Sequence, residues 1–237
     1  MQLSFEYEDT IIEFTLTKSR RKTLAIIVEA PGRVSVKAPV GLSDDEVISR
    51  VKSRAKWIVQ KLYDLKNIEA VATKKEFVNG ELFLYLGRSY SLQLIIDKGL
   101  KKPVVNLYNS KLIVTTPAGD EELIKKALEA WYRSKAKEQI TERIKYYQLQ
   151  VGAIPARVTV KEQKKRWGSC SSKGNLNFNW KAVMAPSPVL DYIIVHELCH
   201  LIHLNHSRQY WDLVAAILPD YKKRREWLKE NAVRLSL

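Results

Sequence analysis

Apolar and polar residues alternate through most of the first 38 positions: LSFEY, TIIEFTLT, TLAIIVEA and RVSVKAP each send every second side chain to one face. A period of two predicts short, half-buried strands, with a turn at Pro31-Gly32. The period then lengthens. Ser43 with Glu46 three residues on makes a capping box, and Asp44 and Asp45 suit the positive end of a helix dipole. Val47, Val51, Ile58 and Leu62 follow on a helical stripe through WIVQKL. Strands resume in FVNGELFLYLG, where Asn79-Gly80 has the composition of a two-residue hairpin turn, and continue through SYSLQLII, PVVNLY and KLIVTTP. A second helical stretch, with room for a break, starts near Asp120 and runs to about Gln150.

VSVKAPVGLSDDEVI and LIVTTPAGDEELI share a strand, a Pro-x-Gly turn, an acidic first turn and an apolar start to a helix. The likeness points to an internal strand-to-helix duplication. After Gly152, ARVTVKE and GNLNFNW read as further strands. Ser187 and Pro188 suit the cap and first turn of a helix, PVLDYIIVHELCHLIH. The expected fold class is therefore α+β: a strand-rich accessory region over residues 1–118 and a C-terminal domain over 119–237 built on that last helix.

Composition bounds the function. The chain has 237 residues, 46% hydrophobic and 28% charged, as in folded globular proteins. No apolar run approaches a membrane span, and the acidic start MQLSFEYEDT does not resemble a secretory signal. Two cysteines, Cys170 and Cys199, are too few for a disulfide framework, so a cytoplasmic protein with no membrane partner is expected. The net charge of +14 admits a nucleotide or nucleic acid as partner, although the scattered basic residues also suit a merely solvated surface.

All four histidines fall in HELCHLIHLNH, residues 196–206. On a helix, residues four apart share a face, so His196 and His200 can each give a ring nitrogen to one divalent ion. Glu197 then lies beside the metal, placed to take a proton from water, whose pKa a bound metal lowers towards about 7. A catalytic zinc has three protein ligands and one open position. His203 continues the same face on an unbroken helix, whereas His206 lies about 80° off it. Asn205 tolerates the left-handed conformation that ends helices, and Ser207 can cap a new helix, RQYWDLVAAIL. A chain turning there brings His206 back, which selects His206 as third ligand and leaves His203 to support the ligands or face substrate. The spacing also matches the three-histidine signature of metzincins, with His203 in place of their glycine. The Met-turn of that class is missing, since Met1 and Met184 both lie upstream. A later glutamate, Glu226 or Glu230, is the alternative ligand.

The run RWGSCSSKGNLNFNWKAVMAPSPVLDYIIVHELCHLIHLNHSRQYW resembles the signature of the YgjP-like predicted metal-dependent hydrolases, which are related to zincin metallopeptidases and more distantly to SprT-like proteases. SRRKTLAIIVEAPGRVSVKAP, WIVQKL and GELFLYLGRSYSL extend the resemblance over nearly the whole chain. It implies a zincin-like domain with His196, His200 and His206 as ligands and Glu197 as catalytic acid/base.

Other residues bear on the site. Arg166, in KKRWGSC, is suited to an oxyanion or a phosphate, and equally to a structural ion pair. Asn177 and Asn179 share one face of a strand and are candidates to contact an extended substrate. Trp167 and Trp180 read as core residues, and both cysteines as buried thiols. The expectation is a metallopeptidase-like hydrolase holding one Zn2+ or another divalent metal, acting on a peptide or protein. The alternatives are a nucleoside triphosphate pyrophosphatase or phosphoester hydrolase, and a non-enzymatic nucleic-acid-binding module stapled by a metal.

Overall fold

The computed structural model describes residues 1–8, 10–29, 32–71, 75–164 and 166–237, with the backbone alone for 64–71. Pro31 of the expected turn and Lys165 of the KKR run lie outside the described residues. The fold is mixed α+β, and the chain divides into compact units of residues 1–73 and 74–237.

In the first unit the alternating segments are strands β1 (Gln2–Tyr7), β2 (Thr10–Ser19), β3 (Ala25–Glu29) and β4 (Arg33–Pro39), in the order β1-β2-β4-β3. Their inward positions, among them Ile12, Phe14, Leu16, Val34 and Val36, are buried against Val47 and Val51 of α1 (Asp44–Lys52) and Ala55 and Ile58 of α2 (Ala55–Val71). Each such large apolar side chain contributes about 1.5–3 kcal/mol by leaving water. The Ser43–Glu46 capping box is formed.

The second unit opens with β5 (Leu82–Tyr85), β6 (Arg88–Ile96), β7 (Val104–Tyr108) and β8 (Lys111–Thr116), in the order β5-β6-β8-β7. Strand order and pairing sense repeat those of the first sheet: outer hairpins are antiparallel, and β6 runs parallel to β8 as β2 does to β4. A helix capped by an acceptor side chain follows each sheet, Ser43 in one case and Asp120 in the other.

The hairpin turn expected at Asn79-Gly80 falls instead at Leu86-Gly87. Both have positive φ (48° and 77°), as the tight turn between β5 and β6 requires. Asn79-Gly80 precedes β5, with the Asn79 side chain accepting from Leu94 N at 2.6 Å. The Leu86-Gly87 tip is bonded elsewhere: its N–H groups donate to the Val183 and Met184 carbonyls at 2.8 and 3.1 Å. A Cβ on Gly87 would come within 2.7 Å of Pro186 Cα, so glycine is required there on two counts.

α3 (Glu121–Val151) runs without a break and ends on left-handed Gly152. One stripe along it serves two cores. Ile124 and Leu128 pack with Phe83, Leu92, Leu112 and Val114 of the sheet, while Tyr132, Ala136, Ile140 and Ile144 join the larger core around the C-terminal helices. That core also takes in β9 (Arg157–Lys161), β10 (Gly168–Cys170) and β11 (Asn175–Asn179), ordered β10-β11-β9, and a 3-10 turn over Trp180–Met184. α4 (Ser187–Cys199), α5 (Arg208–Ile217) and α6 (Tyr221–Asn231) complete the unit, with a last 3-10 turn at Ala232–Arg234. Ser187 is the first residue of α4 rather than its cap, which is Pro186; Pro188 keeps a first-turn place, where its missing N–H costs nothing. Among the described residues no helix is long and apolar enough to cross a membrane.

Candidate metal centre

α4 is apolar on nearly every side, and its residues from Val189 to Val195 are almost all buried. Such a helix belongs in the middle of a core, and it carries His196 and Glu197 into the interior with it. The helix stops sooner than the sequence suggested. Cys199 is its last residue and His200 caps it in a right-handed conformation; the Cys199 carbonyl accepts from both Ile202 and His203. Asn205 is not left-handed, so the chain turns five residues earlier than expected and by another device. Residues 203–207 then cross back, and Ser207 caps α5 by accepting from Tyr210 N at 3.3 Å.

This path brings together His196, His200 and His206, whose ligand atoms all lie within 4.8 Å of one another. The Nε2 atoms of His196 and His206 are 3.3 Å apart. Two imidazoles on a tetrahedral zinc, each at about 2.0–2.1 Å, have nitrogens about 3.3–3.4 Å apart, so the spacing fits such an ion. His200 Nδ1 lies 3.0 Å from the His203 carbonyl. That contact places a proton on Nδ1 and leaves Nε2 as the free donor atom. His203 thus contributes through its backbone, and its ring is outside the cluster. Glu226 is paired with Lys229, and neither Glu226 nor Glu230 joins the histidines.

Aromatic residues that the sequence did not single out hold the cluster. The Tyr210 ring stacks on His200 at 4.6 Å, and its hydroxyl donates to the His196 carbonyl at 3.0 Å. Trp211 stacks on His206 at 5.5 Å and on Tyr221 at 5.3 Å, with the Arg225 guanidinium over its ring. Burial first, and then the neighbouring His200, His206 and Arg225, push His196 down to about 3, so it stays neutral as a ligand must. His206 is lowered in the same sense, by burial, His200 and Arg225.

Burial raises the Glu197 carboxyl to about 8, against the opposing pull of the Arg166 charge. Its neighbour is Gly168 of β10, where a side chain would collide with the carboxylate. The cleft in front of these groups, about 480 Å³, is lined by residues 166–170, the three clustered histidines, Glu197 and Leu204. Trp180 is buried, and Trp167 is partly buried against the same core while also lining the cleft. Cys170 also lines it, and burial and the Glu197 charge hold its thiol above the ordinary range. Asn177 and Asn179 are not brought there. They sit on β11, the middle strand, where Asn179 bonds to Gln163 O, Arg166 O and Lys181 N, and Asn177 lies 3.4 Å from Ser169 Oγ. The strand beside the histidines is β10, whose outer edge carries no pairing among the described residues. Three residues reading GSC after a basic run gave no strand signal.

The sequence profile described as YgjP-like, metallopeptidase domain, matches residues 22–231. The chain belongs to the YgjP-like family. No curated protein matches it. One solved structure, the metallopeptidase zymogen abylysin of Pyrococcus abyssi, is similar with 19% identity over 38% of this chain and 90% of its own, at a TM-score of 0.35. That overlap is too slight to build on. The matched stretch begins just before β3 and runs through β5–β8 to the histidine cluster and α6, and membership implies a divalent metal and a peptidase-type role.

Proposed function

We propose that the protein is a zincin-like zinc metallopeptidase in which His196, His200 and His206 hold one ion and Glu197 is the general base and acid. The observation that carries this reading is the convergence of three imidazoles with a buried carboxylate on one cleft. On this reading residues 119–237 carry the chemistry and residues 1–118 the accessory region. The ion, when bound, supplies Lewis acidity towards water and a substrate carbonyl. Glu197 takes the proton of the attacking water and returns it to the leaving amine; its burial keeps its proton affinity near that of neutral solution, where such transfer is efficient. The unpaired edge of β10 offers backbone groups to a peptide in extended form, a role that β11 cannot take from the middle of its sheet. Arg166, exposed at the cleft, is within reach of a substrate bound there.

A cluster of three protein ligands leaves a position open, which favours catalysis over a structural staple. Arg166 supports a second reading, phosphate ester or nucleoside triphosphate hydrolysis, because it lies in the cleft and makes no direct ion pair among the described residues. Zinc-loaded protein assayed against unfolded casein, short peptides and nucleoside triphosphates, with Glu197→Gln as the blank, separates the two. Peptide products absent from the blank support the peptidase. Phosphate or pyrophosphate release in their place selects the second reading.

A further inference from the structure

A second cavity, of about 350 Å³, adjoins the cleft and shares Arg166 and Trp167 with it. Its far wall is the C-terminal turn, with Ala232, Val233 and Leu235. Most of its polar groups are already committed. Asn179 is spent on Gln163 O and Lys181 N, and Gln163 Nε2 donates to the Asn177 carbonyl. Glu162 accepts from Lys181 at 3.0 Å and lies 3.7 Å from Arg133. Two cations remain, Lys164 and Arg166; the first acts on Glu162 and the second on Glu197 through space, but neither makes a direct ion pair with a carboxylate among the described residues. The wall thus has apolar surface for a short aliphatic stem and two positive charges without a direct ion pair for its end.

We propose that this cavity is a side-chain subsite for an acidic residue of the substrate, so that the enzyme prefers peptides with Asp or Glu at one fixed position near the cleaved bond. The inference rests on the peptidase reading above. A peptide laid along β10 sends alternate side chains to either face, and the cavity is lined by Arg166 and Trp167, the two residues that lead into that strand. An acidic side chain there meets Lys164 and Arg166; a basic one meets two like charges in a partly desolvated space. Asn179 donates to the Gln163 and Arg166 carbonyls, which ties it to the backbone of Arg166 and of the residue before Lys164.

The test uses zinc-loaded full-length Glu197→Gln protein and fluorescein-labelled Ala/Ser peptides carrying one Asp, Asn or Lys at each successive position, read by anisotropy. The expected result is one position at which Asp binds about tenfold more tightly than Asn and Lys more weakly than either, with the advantage shrinking as salt is added. Lys164→Glu, at an exposed position, should erase the Asp preference and improve the Lys peptide. Equal affinities for the three at every position overturn the subsite and leave the peptidase reading standing. Absence of binding by every peptide also overturns it, and a parallel casein digest by wild-type protein then shows whether the peptidase reading falls with it.

Discussion

Gly168 Cα faces the Glu197 carboxylate so closely that a Cβ there would lie 2.5 Å from Oε1 and 2.6 Å from Cγ. The side chain of Glu197 therefore has its position set by the lack of one on the neighbouring strand. Gly168→Ala should push the carboxylate aside and lower kcat on the order of a hundredfold, the usual cost of misplacing a reacting group by about an ångström. Zinc affinity should change little. Parallel steady-state kinetics and zinc titration check this, and an equal loss of metal would show that the glycine supports the ligands instead.

If His206 is the third ligand, as proposed, His206→Ala should lower zinc affinity by more than about a hundredfold, whereas His203→Ala should keep the metal. The reason lies in the backbone: what His203 gives the site is its carbonyl, 3.0 Å from His200 Nδ1, and alanine has the same carbonyl. Competition with a coloured chelator measures both. Metal loss in His203→Ala and retention in His206→Ala would reverse the assignment.

His206 stands on an irregular segment, so its ring is held by neighbours and not by a helix. Trp211→Ala should weaken zinc binding about tenfold by removing the surface on which that ring stacks, and Trp211→Phe should recover most of the loss. The metal titration is the readout, with circular dichroism to show that both variants fold.

Glu197 and His196 give chelator-stripped protein a stability profile of determined sign. Folding raises Glu197 from 4.5 to about 8, so the folded state holds the extra proton and stability falls as pH rises through that window. Folding lowers His196 from 6.5 to about 3, so the unfolded state holds the extra proton and stability falls as pH drops through that range. The two slopes oppose between 4.5 and 6.5, which predicts a plateau there and decline on both sides. Glu197→Gln should flatten the alkaline decline and leave the acid one. Urea unfolding at a series of pH values tests it, and an unchanged alkaline limb in the variant would count against a buried Glu197.

Local chemistry was legible wherever a side chain both marks and makes the structure. Ser43 and Ser207 each cap the helix their composition announced, because the capping bond spans only three residues. Spacing likewise pointed to His196, His200 and His206 as the histidines that come together. Less legible was whatever tertiary packing decides. Leu86 is left-handed at a hairpin tip only because β5 and β6 close there and Val183 and Met184 receive the tip's N–H groups. α4 ends without glycine or asparagine, since the Cys199 carbonyl draws in two later N–H groups. Asn177 and Asn179 alternate correctly, but alternation cannot tell a middle strand from an edge.

The bonds from the Leu86-Gly87 tip to the 3-10 turn that precedes α4 bear on where the chain can be cut. A fragment beginning at residue 119 would leave the Val183 and Met184 carbonyls without donors and the Tyr132 hydroxyl without its Leu84 acceptor. It would also strip the sheet from Ile124 and Leu128 at the start of α3. The smallest piece expected to stand alone is therefore residues 75–237, in which a sheet remote in sequence from the histidines is part of what keeps their helix in place. Shortening the protein from its N-terminus should thus be tolerated up to residue 74 and fail once Phe77 and the β5–β6 hairpin are lost.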